Sequence, residues 1–495
     1  MTKKFLFWFP ADFTHYCIAY NLQKKLPNSK FFGIVDVSSK PESFFKHQKL
    51  VNFEKLWFYH DHIKRNKEPD INYLKQFEKN HNLNLWKLAI NERIFYHFLN
   101  FHKFSDDEIL SIEEQTCKFF ESVLDEIKPD FLLIKEPGYH HLQLLYEICR
   151  SKGIQILILT VPKIGSKCII SQDSTRFDNP ILFDQIKIEN KTFDELMIYL
   201  STRKASLKMD TATINPAKSK SILIKAVLKY IFSKHENSSH YNYYGRTKPK
   251  VLLFTMFSLI KKQFRYFFMN QNLKKELDFS SKFILFALAV DMDRNSLIGA
   301  PFFTNQIEII RSIAKSLPVN YKLVVKEHPG MTMRDWRKIS ELKEILEIPN
   351  VFFVHPQASI NDLMKKCSAV ITVGGSSGLE AAFYGKPVLV FSDTIYSVLP
   401  SVFRIFSPEE LPDKIKECLK IQVEPKYLEK LLIYFEQNSV DFDWLGFSAL
   451  ISKTFFYDGQ LLDSEINQNK MKNFLDDTHH LFDEIVNYYV KKLEI

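Results

Sequence analysis

The chain alternates short apolar runs with segments of helical period. Phe5–Phe9 is an apolar run closed by Pro10, a helical pattern follows at Tyr16–Lys25, and Phe31–Val37 is a second apolar run. Apolar runs of this length bounded by turn residues read as buried strands. Strand, helix and strand with short connections predict a parallel sheet with helices on its faces. Residues 40–128 read as mostly helical, with Trp86, Leu88, Ile90, Ile94 and Phe95 on one side of Leu83–Phe98. The alternation then resumes: a strand at Phe131–Lys135, a turn at Glu136-Pro137-Gly138, a helix at Tyr139–Ser151 capped by Gly153, and a strand at Ile154–Thr160.

From about 190 to 280 the pattern loosens. Ser201–Lys220 reads as linker, and Ser221–Lys234 and Val251–Met269 as basic, amphipathic helices. Such helices join domains, and their basic apolar character also suits an anionic membrane surface. Residues 221–269 are therefore expected to offer a peripheral contact at the inner face of the cell membrane. The C-terminal half is the most regular part. Strands at Lys282–Ala289, Tyr321–Lys326, Val351–Val354, Ala369–Val373 and Pro387–Phe391 alternate with helices at Thr304–Leu317, Arg334–Leu346, Ile360–Lys366 and Leu379–Tyr384. This βαβ succession predicts a doubly wound parallel sheet, with ligands bound outside the carboxyl ends of its strands. The last 70 or so residues read as helical. The expected division is 1–200, 201–280 (helical linker), 281–425 and 426–495 (C-terminal helices).

Length and composition change this picture little. At 495 residues the chain is long enough for two cores. Lys and Arg number 67 against 58 Asp and Glu, a net charge of +9 that favours anionic partners. No nucleic-acid-binding module is recognisable and the basic residues are dispersed, so no nucleic-acid partner is expected. Cys17, Cys117, Cys149, Cys168, Cys367 and Cys418 lack metal-type spacing and fall mostly in apolar segments, as free thiols do in a reducing compartment. The first apolar run is too short for a signal core, and no apolar stretch is long enough to span a bilayer. A cytoplasmic location is expected. The 45 Phe and 21 Tyr are not in themselves sugar-binding platforms.

Candidate chemistry concentrates in Val370–Val390, VITVGGSSGLEAAFYGKPVLV. An apolar strand runs into a Gly/Ser loop and then a helix. Gly375 and Gly378 would allow close backbone approach, Ser376 and Ser377 add hydroxyls, and the first-turn N–H groups suit a phosphate. Glu380, just inside the helix, is placed to accept from ribose hydroxyls. The bland alternative is a strand–helix turn with Ser as N-cap and Glu as capping-box partner. Lys326-Glu327-His328-Pro329-Gly330 ends another strand. His328 there faces the expected crevice and can donate to a phosphate oxygen, and Lys326 can add charge.

Together Lys326–Pro329 and Gly374–Val388 resemble the capsule polysaccharide biosynthesis and related surface-carbohydrate glycosyltransferases. Phe286–Asp293 with Gln306 is similar to the opening strand and next helix of that family's second domain, with Met292-Asp293 where a Pro-Glu pair is usual. Leu83–Arg93 is similar to a helical segment of its N-terminal half. The resemblance implies a GT-B-like α/β fold, two Rossmann-like domains facing across a cleft, with C-terminal helices. It also implies a nucleotide-sugar donor as co-substrate and an acceptor glycan or glycolipid, with no tightly bound cofactor and no metal. Some sialyl- and Kdo-transferases of this architecture hold CMP with an HP motif and a Ser-rich loop, which is consistent with a CMP-sugar.

The base would then come from the N-terminal domain. Glu136 ends an apolar strand before a helix start, and His140, His141 and Asp173 are rivals; its bland role is a first-turn acid. Asp291 and Asp293 follow another strand into the same cleft. Two readings compete with transfer. A UDP-GlcNAc 2-epimerase-like enzyme shares the Gly-Gly…Glu…Gly-Lys-Pro pattern, but its N-terminal Gly-Thr-Arg-Pro-Glu and its Gly-Leu-Arg-Thr segments are absent. A glycan-assembly scaffold would keep the crevice without turnover.

Overall fold

The computed structural model describes residues 2–65, 67–97, 100–162, 164, 166–202, 220–233, 244–276, 281–290, 293–332 and 337–493. Most of the expected Ser201–Lys220 linker, Asp291, Phe98 and the start of the helix expected at Arg334 lie outside them.

Two sheets organise these residues. The first contains β1 (Lys4–Pro10), β2 (Lys30–Asp36), β3 (Lys55–Phe58), β4 (Phe131–Lys135), β5 (Gln155–Thr160), β6 (Lys167–Ser171) and β13 (Val440–Asp441), in the order β13-β6-β5-β4-β1-β2-β3. The second contains β7 (Lys282–Ala287), β8 (Tyr321–Lys326), β9 (Val351–Val354), β10 (Ala369–Thr372), β11 (Val388–Val390) and β12 (Val402–Arg404), in the order β12-β11-β10-β7-β8-β9. The second sheet is parallel throughout. The first departs from the expected parallel sheet at one edge, where β6 runs antiparallel to both β5 and β13.

Continuous apolar runs form these strands because both faces of each sheet are covered. Along β1, Phe5, Phe7 and Phe9 pack on one side and Leu6 and Trp8 on the other. Aromatic residues fill these cores: Phe5 stacks on Phe131 and Phe9 on Phe45, with ring centroids 5.2 and 5.5 Å apart.

The segment expected as separate C-terminal helices divides between the two cores. Helix Pro425–Asn438 sends Leu431 and Phe435 into the second domain's core. The chain then crosses back, adds β13 to the first sheet, and covers that sheet with Phe447, Ile451, Met471 and Tyr489. The apolar positions of these helices complete the face that Phe5, Phe7 and Phe9 present, so they do not form a unit of their own.

Both sheets share one topological feature. In the first, the chain proceeds from β1 outward through β2 and β3, then returns to place β4 on the other side of β1. In the second it proceeds from β7 through β8 and β9, then places β10 beside β7. Each reversal splits the loops at the carboxyl ends of two neighbouring strands, which opens a crevice there.

Candidate functional site

The second-domain crevice lies between the ends of β7 and β10. Thr372 ends β10, and its Oγ1 accepts the Gly375 N–H at 3.2 Å. Gly375 is the N-cap of helix Ser376–Phe383, which carries no side-chain cap. Neither serine caps the helix and Glu380 closes no capping box; Ser376, Ser377 and Glu380 are all partly exposed. The first-turn amides carry the partial positive charge of a helix start.

Two glycines of this loop answer to packing rather than to ligand approach. A Cβ on Gly374 would lie 1.9 Å from Ser392 Oγ, which donates to the Val373 carbonyl at 2.8 Å. A Cβ on Gly378 would lie 2.5 Å from the Tyr396 hydroxyl, which donates to the Gly375 carbonyl at 2.6 Å. The chain after β11 thus pins the loop from beneath. At Gly375 the tightest neighbour is 3.2 Å away.

The Lys-Glu-His-Pro turn extends β8. Lys326, expected to add charge for a phosphate, is buried, and its Nζ donates to the Pro356 carbonyl at 2.9 Å. Its ammonium therefore braces the next loop. Glu327 is buried as well. One of its oxygens accepts the His328 N–H at 2.9 Å and the other pairs with Arg337 Nε at 2.8 Å. His328 Nδ1 accepts the Gly330 N–H at 3.0 Å, which assigns the proton of the neutral ring to Nε2. The two charged neighbours of His328 thus fix the turn, and the imidazole is half-buried at its edge.

Between these two loops runs the stretch after β7. Gln306 clamps its start: Oε1 accepts the Ala289 N–H at 2.8 Å and Nε2 donates to the Ala289 carbonyl at 3.1 Å. A Cβ on Gly299 would meet Ser392, and one on Gly330 would meet Val290, so this stretch touches the supports of both loops. Asp293, which follows β7, accepts from the Arg294 backbone N–H at 2.7 Å.

Arg294 reaches across to the first domain. It pairs with Glu136 at 3.1 Å, donates to the Pro137 carbonyl at 3.2 Å and to Ser174 Oγ at 2.9 Å. Glu136 follows β4 at the first sheet's own reversal, so the two crevices face one cleft. The rival bases are engaged with other partners. His140 is buried with its ring nitrogens 3.1 Å from Glu92 and 3.2 Å from Glu113. Burial opposes its protonation, but Glu113 and Glu92 outweigh it and hold its pKa up at about 10. Glu92 correspondingly falls to about 2: burial would raise it, and His140 overrides that. His141 is buried 3.2 Å from Asp36, which His60 also approaches at 3.2 Å. Asp173 accepts from the Thr175 N–H and hydroxyl at 2.8 and 2.7 Å.

Three residues that shape this side have no role in the sequence reading. Asp12, after β1, pairs with Lys135 at 3.1 Å; burial works against its ionisation, but Lys135 keeps its carboxyl below the ordinary range. Glu92 also accepts the His140 N–H at 3.0 Å, and Arg93 donates to the Gly138 carbonyl and lies over the Tyr139 ring. The paired Glu92-Arg93 at the end of Leu83–Arg93 was the available signal: it holds the turn that carries Glu136.

Residues 200–399 match the family model of capsule polysaccharide biosynthesis proteins. That span contains Lys326–Pro329 and Gly374–Val388, the segments that carry the resemblance to this family. No curated protein matches the sequence. Among solved structures, the UDP-GlcNAc 2-epimerase of Methanocaldococcus jannaschii is 13% identical, with 88% of this chain and 99% of that one covered and a TM-score of 0.26. The beta Kdo 2,7 transferase KpsC of Thermosulfurimonas dismutans is 16% identical, with 72% and 97% covered and a TM-score of 0.28. Among the described residues no group of three or more His, Cys, Asp or Glu side chains is arranged to hold a metal ion, and no helix is long and apolar enough to cross a membrane.

Proposed function

We propose that the protein is a glycosyltransferase of capsule polysaccharide biosynthesis that takes its sugar from a nucleotide-activated donor. The observation that supports this most is the meeting of two strand-end crevices, bridged by Arg294 and Glu136, with an uncapped Ser376-Ser377 helix start on one wall. The family match over residues 200–399 supports a place in capsule polysaccharide biosynthesis.

In this reading the helix start and His328 Nε2 stabilise charge as it develops on the departing nucleotide phosphate. Glu380 accepts from the ribose. Glu136 is the base for the acceptor hydroxyl once movement of the domains parts it from Arg294; such closure and opening gate many clefts of this kind. A CMP-sugar is the donor to try first, and UDP- and GDP-sugars the controls.

Titration calorimetry with CMP, UDP and GDP tests the donor side. One nucleotide should bind, and His328→Ala and Ser377→Ala should each weaken it by about fivefold or more, as expected for loss of a hydrogen bond to a charged group. Equal affinity in the wild type and both variants would place the nucleotide elsewhere.

A further inference from the structure

Helices Lys220–Phe232 and Lys248–Asn272 carry the largest group of exposed apolar side chains among the described residues. Phe232 is 81% exposed, and Phe264 and Phe267 are 65% exposed. Every residue from 252 to 257 is exposed, so the second helix shows apolar side chains all round and not along one stripe. Its buried residues are Arg265 and Met269, near its far end. Arg265 donates there to the Met331 and Arg337 carbonyls at 3.2 and 3.3 Å. Lys248 Nζ donates to the Ile231 carbonyl at 2.6 Å and ties the start of the second helix to the end of the first. The two helices are tied together; the second is rooted at its far end beside the His328 turn and sets Phe254 against Phe101, with ring centroids 5.3 Å apart.

The charge on this element has one sign. Neither helix contains Asp or Glu, while Lys225, Lys229, Lys250 and Lys261 are exposed. The apolar run 251–260 is bracketed by Lys250 and Lys261. At about 1.5 Å per residue it is ~15 Å long, half of the ~30 Å hydrocarbon core. It is too short to span a bilayer and long enough to enter one leaflet. A protein groove would cover one side of such a helix; hydrocarbon covers every side. A second copy would bring like charges together.

We propose that this helical pair is a monotopic anchor that inserts into an anionic lipid surface. Its apolar side chains enter the acyl boundary and its lysines meet headgroup phosphates. The anchor does not depend on which reaction the cleft performs.

Flotation of the full chain with vesicles tests it. Vesicles of phosphatidylcholine mixed with phosphatidylglycerol should carry the protein up a density gradient, and phosphatidylcholine alone should carry far less. Two variants share exposed positions only, so folding is checked by melting temperature: Leu253→Ser with Phe257→Ser and Phe264→Ser, and Lys225→Gln with Lys229→Gln, Lys250→Gln and Lys261→Gln. Each should lower partitioning by about a hundredfold or more at unchanged melting temperature. Binding to anionic vesicles that neither variant lowers would overturn the proposal. So would sedimentation showing a dimer that the serine variant dissolves while the wild type ignores vesicles, since a second copy would then be the occupant.

Discussion

Glu327 offers a sharp test of how the His328 turn is held. Its carboxylate is 2% exposed and meets the Arg337 guanidinium, itself 3% exposed, and the His328 N–H. Glu327→Ala removes a buried carboxylate from beside the buried Arg337 guanidinium, a loss of about 3–5 kcal/mol. It also strands a backbone donor, ~1–3 kcal/mol that overlaps the first figure rather than adding to it. For a domain of this size the transition should fall by about 6–20 °C. Glu327→Gln keeps an oxygen for the His328 N–H and loses only the charge, so it should fall less. Arg337→Ala alone should cost as much as Glu327→Ala. Replacing both residues by Met should recover more than half of the loss, because neither charge is then buried alone. Thermal melts followed by circular dichroism, with nucleotide titrations on each variant, read both stability and the turn. Glu327→Ala melting within about 2 °C of wild type, or single losses that simply add in the pair, would refute the argument.

Gly378→Ala should destabilise the second domain by about 1–3 kcal/mol in a denaturant titration, from a Cβ placed against Tyr396. The raised pKa of His140, about 10, makes its contribution to stability full below the unfolded value of about 6.5 and lost as pH rises through about 10. Melting temperature from neutral to alkaline pH should therefore fall more steeply in wild type than in His140→Gln. Arg294→Ala removes the bond across the cleft to Glu136; we expect a wider opening by small-angle scattering, and no change in scattering would deny the pair that role. His328→Ala should lower turnover by at least about tenfold with the fold intact.

The sequence made the second domain legible because its strands are buried on both faces and separated by well-marked helices. Val370–Val390 reads directly as strand, loop and helix, and is observed so. What escaped it depends on contacts distant in the chain. Nothing local says that Gly374 and Gly378 yield to Ser392 and Tyr396, or that the Lys326 ammonium turns inward to Pro356. The return of the chain to add β13 to the first sheet is equally non-local. At the candidate site, His328, Ser376, Ser377 and Glu380 were found by strand-end logic. Glu136 was found the same way, yet its partner Arg294 lies 158 positions later, and no spacing rule joins them.

The central claim is best tested by acceptor-dependent transfer. The purified chain, given CMP-, UDP- or GDP-sugars with and without a capsular oligosaccharide acceptor, should release nucleotide and extend the acceptor only when both are present, and His328→Ala should lose most of that activity. Epimerisation of UDP-GlcNAc without acceptor, or nucleotide binding with no transfer from any donor, would contradict it.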